Sequence, residues 1–335
     1  MSIGRNSTPA YGPELASYNI ARSSSTYDID RLGEFTASYK KQLGRHHVDA
    51  LIGYTLQRKT YDRLGVQATG FADDRIHEVT AHGPKDSDVS LYETRKAAWS
   101  MMSYLARLNY SFDDRYTVTG TFRTDGSSRF GVNNRWGYFP SASLAWRVSG
   151  EDFFTKAKFL SFVDDLKIRT SYGVTGNFQI GNYDHLSLMA LDNYILGTGN
   201  GQLVQGYKPN TIKNDDLSWE KNAMVNVGVD LQMFKGLLGI TVDYYNTNTS
   251  NMLLNVPVPH LTGYSTALMN IGKVNNRGWE IALTSQKNFT KDFGYSFNAN
   301  YATNTNEVKA LGPGNAPIIS TGSVDHAYYI TKVGE

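Results

Sequence analysis

Polar and apolar positions alternate along most of this chain. In Arg115-Tyr-Thr-Val-Thr-Gly-Thr-Phe-Arg123, the residues Tyr116, Val118, Gly120 and Phe122 share one face and Thr117, Thr119, Thr121 and Arg123 the other. A period of two is that of a β-strand with one apolar and one polar face. The same alternation, bounded by turn residues, predicts about ten strands, over residues 34–40, 47–57, 99–112, 115–124, 137–147, 165–174, 219–234, 237–249, 276–287 and 293–306. No long segment has helical spacing. The best helix candidate is the short stretch 151–162, just after Ser149-Gly150.

The two faces keep their chemistry from strand to strand. Val225, Val227, Val229, Leu231 and Met233 oppose Asn226, Gly228, Asp230 and Gln232, and Phe293, Tyr295, Phe297, Ala299 and Tyr301 oppose Gly294, Ser296, Asn298 and Asn300. The polar face of a soluble sandwich usually carries many Lys and Glu; here it carries mainly Thr, Ser, Asn and Gly, which suits a wet interior. Connection lengths alternate as well. Links 41–46, 113–114, 235–236 and 288–292 are short, links 58–98, 125–136, 175–218 and 250–275 are longer, and only 148–164, with the helix candidate, breaks the rule. Short turns on one rim and long loops on the other mark a transmembrane barrel. Strand length agrees, because ten residues at roughly 3.3 Å rise and 45° tilt cover about 23 Å, close to the ~25 Å apolar band of such a wall.

The fold class expected is therefore all-β, an antiparallel transmembrane β-barrel of which this chain supplies an incomplete portion. Val118, Phe122, Val227, Val229, Ile240 and Val242 are expected to face lipid. Thr119, Thr121, Arg123, Asn226, Asp230, Asp243, Asn298 and Asn300 are expected to face the lumen.

Composition narrows the alternatives. In 335 residues the hydrophobic fraction is 40%, and no apolar stretch approaches the ~20 residues of a spanning helix. The 22 Tyr, 15 Phe and 5 Trp suit strands and membrane interfaces. A formal charge of +2, without a long Lys/Arg run, argues against nucleic acid as a partner. Absence of cysteine excludes a disulfide framework and thiolate zinc sites. Met1 is followed by polar residues without the pattern of a secretory leader, so the chain reads as cytosolic or as an internal piece of a longer one.

Among candidate functional residues, Asp125-Gly-Ser-Ser-Arg-Phe-Gly131 has Arg123 and Arg129 within reach of Asp125. The arginines could line a mouth and grip ligand hydroxyls or carboxylates, or Asp125 could organise the loop through local bonds. Trp136, Tyr138, Tyr183, Tyr194, Tyr207, Trp219 and Tyr264 are predicted in or beside outer loops. Such rings either stack on sugars, belong to an interfacial girdle or pack the loops. Pro257 and Pro259 stiffen a long loop, as a docking surface or as a strand stop. Catalytic signals fail. His46-His47, His77, His185 and His326 lack metal-ligand spacing, and Asp73-Asp74, Asp113-Asp114, Asp164-Asp165 and Asp215-Asp216 fall at turns or strand starts. Gly197 to Gly201 lacks the strand-to-helix context of a dinucleotide loop, and Gly176 to Gly181 has nucleotide-loop spacing but Asn182-Tyr183 where Lys and Ser/Thr are required. No enzyme, metal or cofactor is expected.

Several collinear motifs carry a resemblance. Arg123-Thr-Asp-Gly-Ser-Ser-Arg-Phe-Gly131 and Asn134-Arg-Trp-Gly-Tyr-Phe-Pro-Ser-Ala-Ser-Leu-Ala-Trp-Arg147 are followed by Leu166-Lys-Ile-Arg-Thr-Ser-Tyr-Gly-Val-Thr-Gly-Asn177, Leu217-Ser-Trp-Glu220, Val242-Asp-Tyr-Tyr245, Leu253-Leu-Asn-Val-Pro-Val-Pro259 and Asn275-Asn-Arg-Gly-Trp-Glu280. From residue 34 to the end the chain resembles the barrel of the SusC/RagA family of TonB-dependent outer-membrane transporters. The resemblance implies a barrel of about 22 strands in the outer membrane of a Gram-negative bacterium. It also implies energised import of bulky nutrients, foremost glycan oligosaccharides, with peptides second. The partners implied are outer-membrane lipid, a SusD-like surface lipoprotein, and the TonB complex acting through a plug. On this reading residues 1–33 are an extracellular-loop or partial-strand lead-in, 34–335 are partial barrel, and the plug, TonB box and C-terminal strands lie outside the chain. An adhesin or a passive porin without energy coupling is the runner-up. A membrane-embedded hydrolase and a soluble β-sandwich are more distant readings.

Overall fold

The computed structural model describes residues 6–8, 20–69, 89–197, 201–264, 266–321 and 328–335. The strands are β1 (Asn6–Thr8), β2 (Ile20–Leu43), β3 (His46–Ala68), β4 (Val89–Phe112), β5 (Tyr116–Ser127), β6 (Trp136–Arg147), β7 (Val163–Asn177), β8 (Met189–Leu196), β9 (Gln202–Pro209), β10 (Glu220–Met233), β11 (Leu238–Pro257), β12 (Thr266–Asn288), β13 (Gly294–Ala310), β14 (Ile318–Thr321) and β15 (Tyr328–Thr331). Eleven of them form one sheet, in the order β1 to β7 and then β10 to β13, while β8–β9 and β14–β15 are separate two-stranded sheets. Helix is nearly absent among the described residues: the stretch expected at 151–162 yields only α1 (Asp152–Thr155), followed by a 3-10 turn at Lys158–Leu160. His77, His326, Asp73, Asp74 and residues 198–200 of the glycine-rich stretch lie outside the described residues.

Two compact units can be distinguished, residues 1–33 with 56–101 and residues 34–55 with 102–335, and β2, β3 and β4 contribute to both. In the first unit the strands run well past their expected bounds: β2 begins at Ile20, β3 ends at Ala68 and β4 begins at Val89. These stretches carry charged residues on both faces, with apolar ones such as Ile29, Leu32 and Leu91 scattered among them, so the two-residue period is broken. Cross-strand side-chain pairs accompany the backbone ladder instead. Lys59 pairs with Asp28 at 3.0 Å, Arg63 with Glu93 at 3.2 Å and Lys96 with Asp62 at 3.5 Å, and the Gln57 amide donates to both Asp30 oxygens.

In the second unit the register settles the faces. One row of cross-strand partners runs Val118, Leu144, Thr170, Val227, Tyr244, Trp279, Thr303, and another runs Trp146, Ile168, Val229, Val242, Ile281, Tyr301. The opposite face carries the row Thr119, Ser143, Ser171, Asn226, with Asp230 and Asn300 on the same side. Among the described residues no second sheet covers the apolar side: Val225 and Val227 are 42% and 44% exposed. A soluble sandwich would bury them; a barrel wall presents them to lipid.

The connections sort by end as expected. Short turns follow β2, β4, β10 and β12, whereas longer segments follow β3, β5, β7 and β11. Asp113 and Asp114, at φ 56° and 52°, form a tight turn. Arg45 donates to Asp113 through both Nε, at 2.7 Å, and Nη2, and Arg115 lies 3.1 Å from the same carboxylate. The Arg45 hydrogen bonds, reinforced by the charges of Arg45 and Arg115, hold the Asp113 carboxyl below the ordinary carboxylate range. A carboxyl depressed in this way contributes its full stabilisation above its unfolded-state value, about 3.9. The contribution fades as pH falls through the lower folded-state value. The complete protein carrying Asp113→Asn is therefore expected to lose less stability below about pH 4 than the unaltered protein, in urea titrations repeated across pH.

Candidate functional site

The long-loop end is organised by one tryptophan. Trp219, at the foot of β10, is only 3% exposed; its ring centre lies 4.7 Å from that of Phe130, 5.4 Å from Phe139 in an edge-on arrangement and 6.0 Å from Phe178. Its indole N–H donates to the Arg135 carbonyl at 3.0 Å. Phe130 and Leu217 are fully enclosed beside it. Gly137 on β6 and Gly176 on β7 leave the room: a Cβ at either would overlap the Phe139 ring and come within 3.0 Å of Trp219. Segments after β5, on β6, after β7 and before β10 are thus pinned together by aromatic packing. Enclosed in this way, Trp219 packs the loops on one another, one of the alternatives open to it.

Arg123 and Asp125 are joined as a fork, with Nε 2.9 and 2.8 Å from the two carboxylate oxygens, and Arg123 Nη2 also donates to Ser103 at 3.2 Å. Asp125 is 7% exposed, so this pair braces the polar face. Arg129 does not join it. Its Nε donates to Asn182 at 3.0 Å, its Nη1 to the Phe178 carbonyl at 3.2 Å, and its guanidinium lies over the Phe178 ring. Burial pushes Arg129 below its ordinary value, against the pull of Asp184. His185 is buried too, with Nδ1 3.1 Å from the Arg129 carbonyl. Asp215 and Asp216 serve this loop region, accepting from the Asn133 amide and side chain respectively.

The other aromatic candidates separate. Trp136 and Tyr138 are paired with Gly126 and Thr124 and so share the outward face with Phe122. Trp136 stacks near Tyr104 and Tyr138 near Phe122, an arrangement of interfacial girdle residues. Tyr194 and Tyr207 stand 67% and 69% exposed in the β8–β9 hairpin. Tyr183 lies in the β7–β8 connection. Tyr264 is half-buried in the β11–β12 loop, its N–H 3.4 Å from Thr262 Oγ1. None of these forms a convergent ligand pocket with Arg123 or Arg129 among the described residues.

Sequence reasoning missed a charged cluster on the lumenal face. Arg169, centred in β7, faces Gly228, which faces Asp243. Its guanidinium crosses that glycine to donate to Asp243 Oδ2 at 2.6 Å and to Asp230 Oδ2 at 3.1 Å, with Asn226 at 3.4 Å. Lys167 lies 3.8 Å from Asp230. Asp243 Oδ1 is left without a hydrogen-bond partner among the described residues. The cluster gives the inner wall fixed, alternating charge amid Thr, Ser and Asn.

The family profile described as "TonB dependent receptor-like, beta-barrel" matches residues 4–323. TonB-dependent receptor P39 of Formosa agariphila is 35% identical over 291 residues, covering 87% of this chain and 27% of the relative. TonB-dependent receptor SusC of Bacteroides thetaiotaomicron is 33% identical over 294 residues, again 87% of this chain and 27% of the relative. A structure of the RagAB peptide transporter superposes with a TM-score of 0.82 at 29% identity, covering 96% of this chain and 34% of the other. The chain spans about a quarter of the length of the curated relatives it matches. An outward apolar face, a polar inner face, loops sorted by end and these likenesses agree: the chain belongs to the TonB-dependent receptor β-barrel family, in its SusC/RagA branch, which places it in the outer membrane of a Gram-negative bacterium.

Proposed function

We propose that this chain is part of the wall of a TonB-dependent active importer of bulky nutrients. In this reading it works beneath a SusD-like surface lipoprotein and, through a plug, with the TonB complex. Glycan oligosaccharides are the first substrate class and peptides the second. The Thr119, Ser143, Ser171, Asn226 row offers hydroxyls and amides suited to hydroxylated cargo, and the likeness to the RagAB peptide transporter supports the second class.

The observation that carries the reading is the β8–β9 hairpin at the long-loop end. One face holds Met189, Leu191, Ile195, Leu203 and Tyr207, each more than half exposed, with Leu191 opposite Tyr207 and Ile195 opposite Leu203. An apolar patch standing in water marks a protein–protein interface, and a passive porin has no use for one. In the complete protein, Leu191→Glu combined with Tyr207→Glu is expected to weaken recovery of the lipoprotein at least about tenfold, or ~1.4 kcal/mol, with the barrel still folded. Unchanged recovery would remove the hairpin from the interface. Uptake that persists after loss of TonB would place the protein among passive porins.

A further inference from the structure

We propose that the connection between β6 and β7 is an interfacial foot, seated among the phospholipid headgroups of the leaflet on the short-turn side. Other turns on this rim, at 44–45, 113–115, 234–237 and 289–293, are brief, whereas this one runs from 148 to 162. Short turns face the periplasm in such barrels, so the extra length needs a use there.

Glu151 fixes where the segment begins. Its Oε1 accepts from the Tyr116 hydroxyl at 2.5 Å and from the Trp146 indole N–H at 3.1 Å, and its Oε2 lies 3.3 Å from Arg115 Nη1. Tyr116 and Trp146 are cross-strand partners on the outward, lipid-facing side. The carboxylate therefore ties the connection to the outer side of the wall at its lower edge, continuous with the surface that meets lipid. From there α1 turns Phe154 inward, where it is buried, and leaves Phe153 62% and Phe159 78% exposed. Lys156 and Lys158 stand exposed between them, Lys156 with Asp152 3.7 Å away.

Two bare phenylalanines flanking two lysines fit one environment at this depth. Aromatic rings prefer the headgroup boundary, and lysine stems lie along apolar surface while their ammonium groups reach outward to phosphate. The occupant assigned is thus the phosphate and glycerol region of phospholipid.

The test uses the complete transporter in bilayers, with Phe159→Cys carrying an environment-sensitive fluorophore. Quenching by a quencher attached near the lipid headgroup, with protection from water-borne iodide, is expected. Combining the label with Lys156→Glu and Lys158→Glu is expected to abolish the lipid-borne quenching, while heat-resistant migration of the barrel shows that it is still folded. Quenching by iodide alone would overturn the proposal. Protection appearing only when a periplasmic protein is added would also overturn it, in favour of a protein contact, and lipid-borne quenching that survives both charge reversals would overturn the assignment to phosphate.

Discussion

Trp219→Ala is expected to destabilise the complete protein by about 3–5 kcal/mol, the usual cost of emptying a large aromatic from a packed core. The ring is enclosed by Phe130, Phe139 and Phe178, and its N–H is the partner of the Arg135 carbonyl. Truncation therefore opens a cavity and strands an acceptor together. The loss should be concentrated at the long-loop end, because the β10–β11 ladder from Lys221 to Met233 does not depend on the ring. Denaturant titration, with limited proteolysis of residues 128–135 and 178–188, checks both parts. A variant that keeps its stability and loses only affinity for cargo would mean that the tryptophan is a ligand platform after all.

Val229→Arg is expected to cost about 2–4 kcal/mol, the penalty for a cation near the midplane of a lipid face. Val229 is the central member of the outward run Val225 to Met233 and lies between Ile168 and Val242 in the row of partners. Thr119→Arg, on the opposite face, is expected to be tolerated, since the new charge would meet lumenal water. Thr119 is a cleaner comparison than Asn226, whose side-chain oxygen accepts from Arg169, so that an arginine there would meet another. Equal damage from both substitutions, measured by unfolding in bilayers, would reverse or erase the face assignment.

Legibility followed the environment of each segment. In β5, β10 and β11 one side meets lipid and the other water, and the residues that separate Val118 from Thr119 or Val229 from Asp230 record that difference directly. In the first parts of β2 and β4 charged and apolar residues mix on both sides, so strands of 24 residues were read as a shorter strand and a loop. Hairpin β8–β9 was hidden for the opposite reason, since Tyr194-Ile-Leu196 and Leu203-Val204 carry apolar residues on both of its faces. Trp219 was recognisable as a motif residue, but its burial depends on Phe130 and Phe178, which only the folded loops bring to it. The Arg169 cluster was out of reach in the same way: alternation assigns faces, but the register that sets Arg169 opposite Gly228 and Gly228 opposite Asp243 is settled only in the folded sheet.

The chain leaves the wall after β7 and returns at β10, and the base of the excursion is cinched by the Asn210 N–H on the Leu188 carbonyl at 2.7 Å, with Thr211 Oγ1 bridging Leu188 and Leu186. Entry and exit sit side by side, while β7 and β10 pair in unbroken register from Glu220 to Gln232 below. A cassette held at a closed neck can lengthen, shrink or be exchanged without moving any rung of the wall. The rungs that meet lipid on one side and the lumen on the other are unaffected by what the excursion carries.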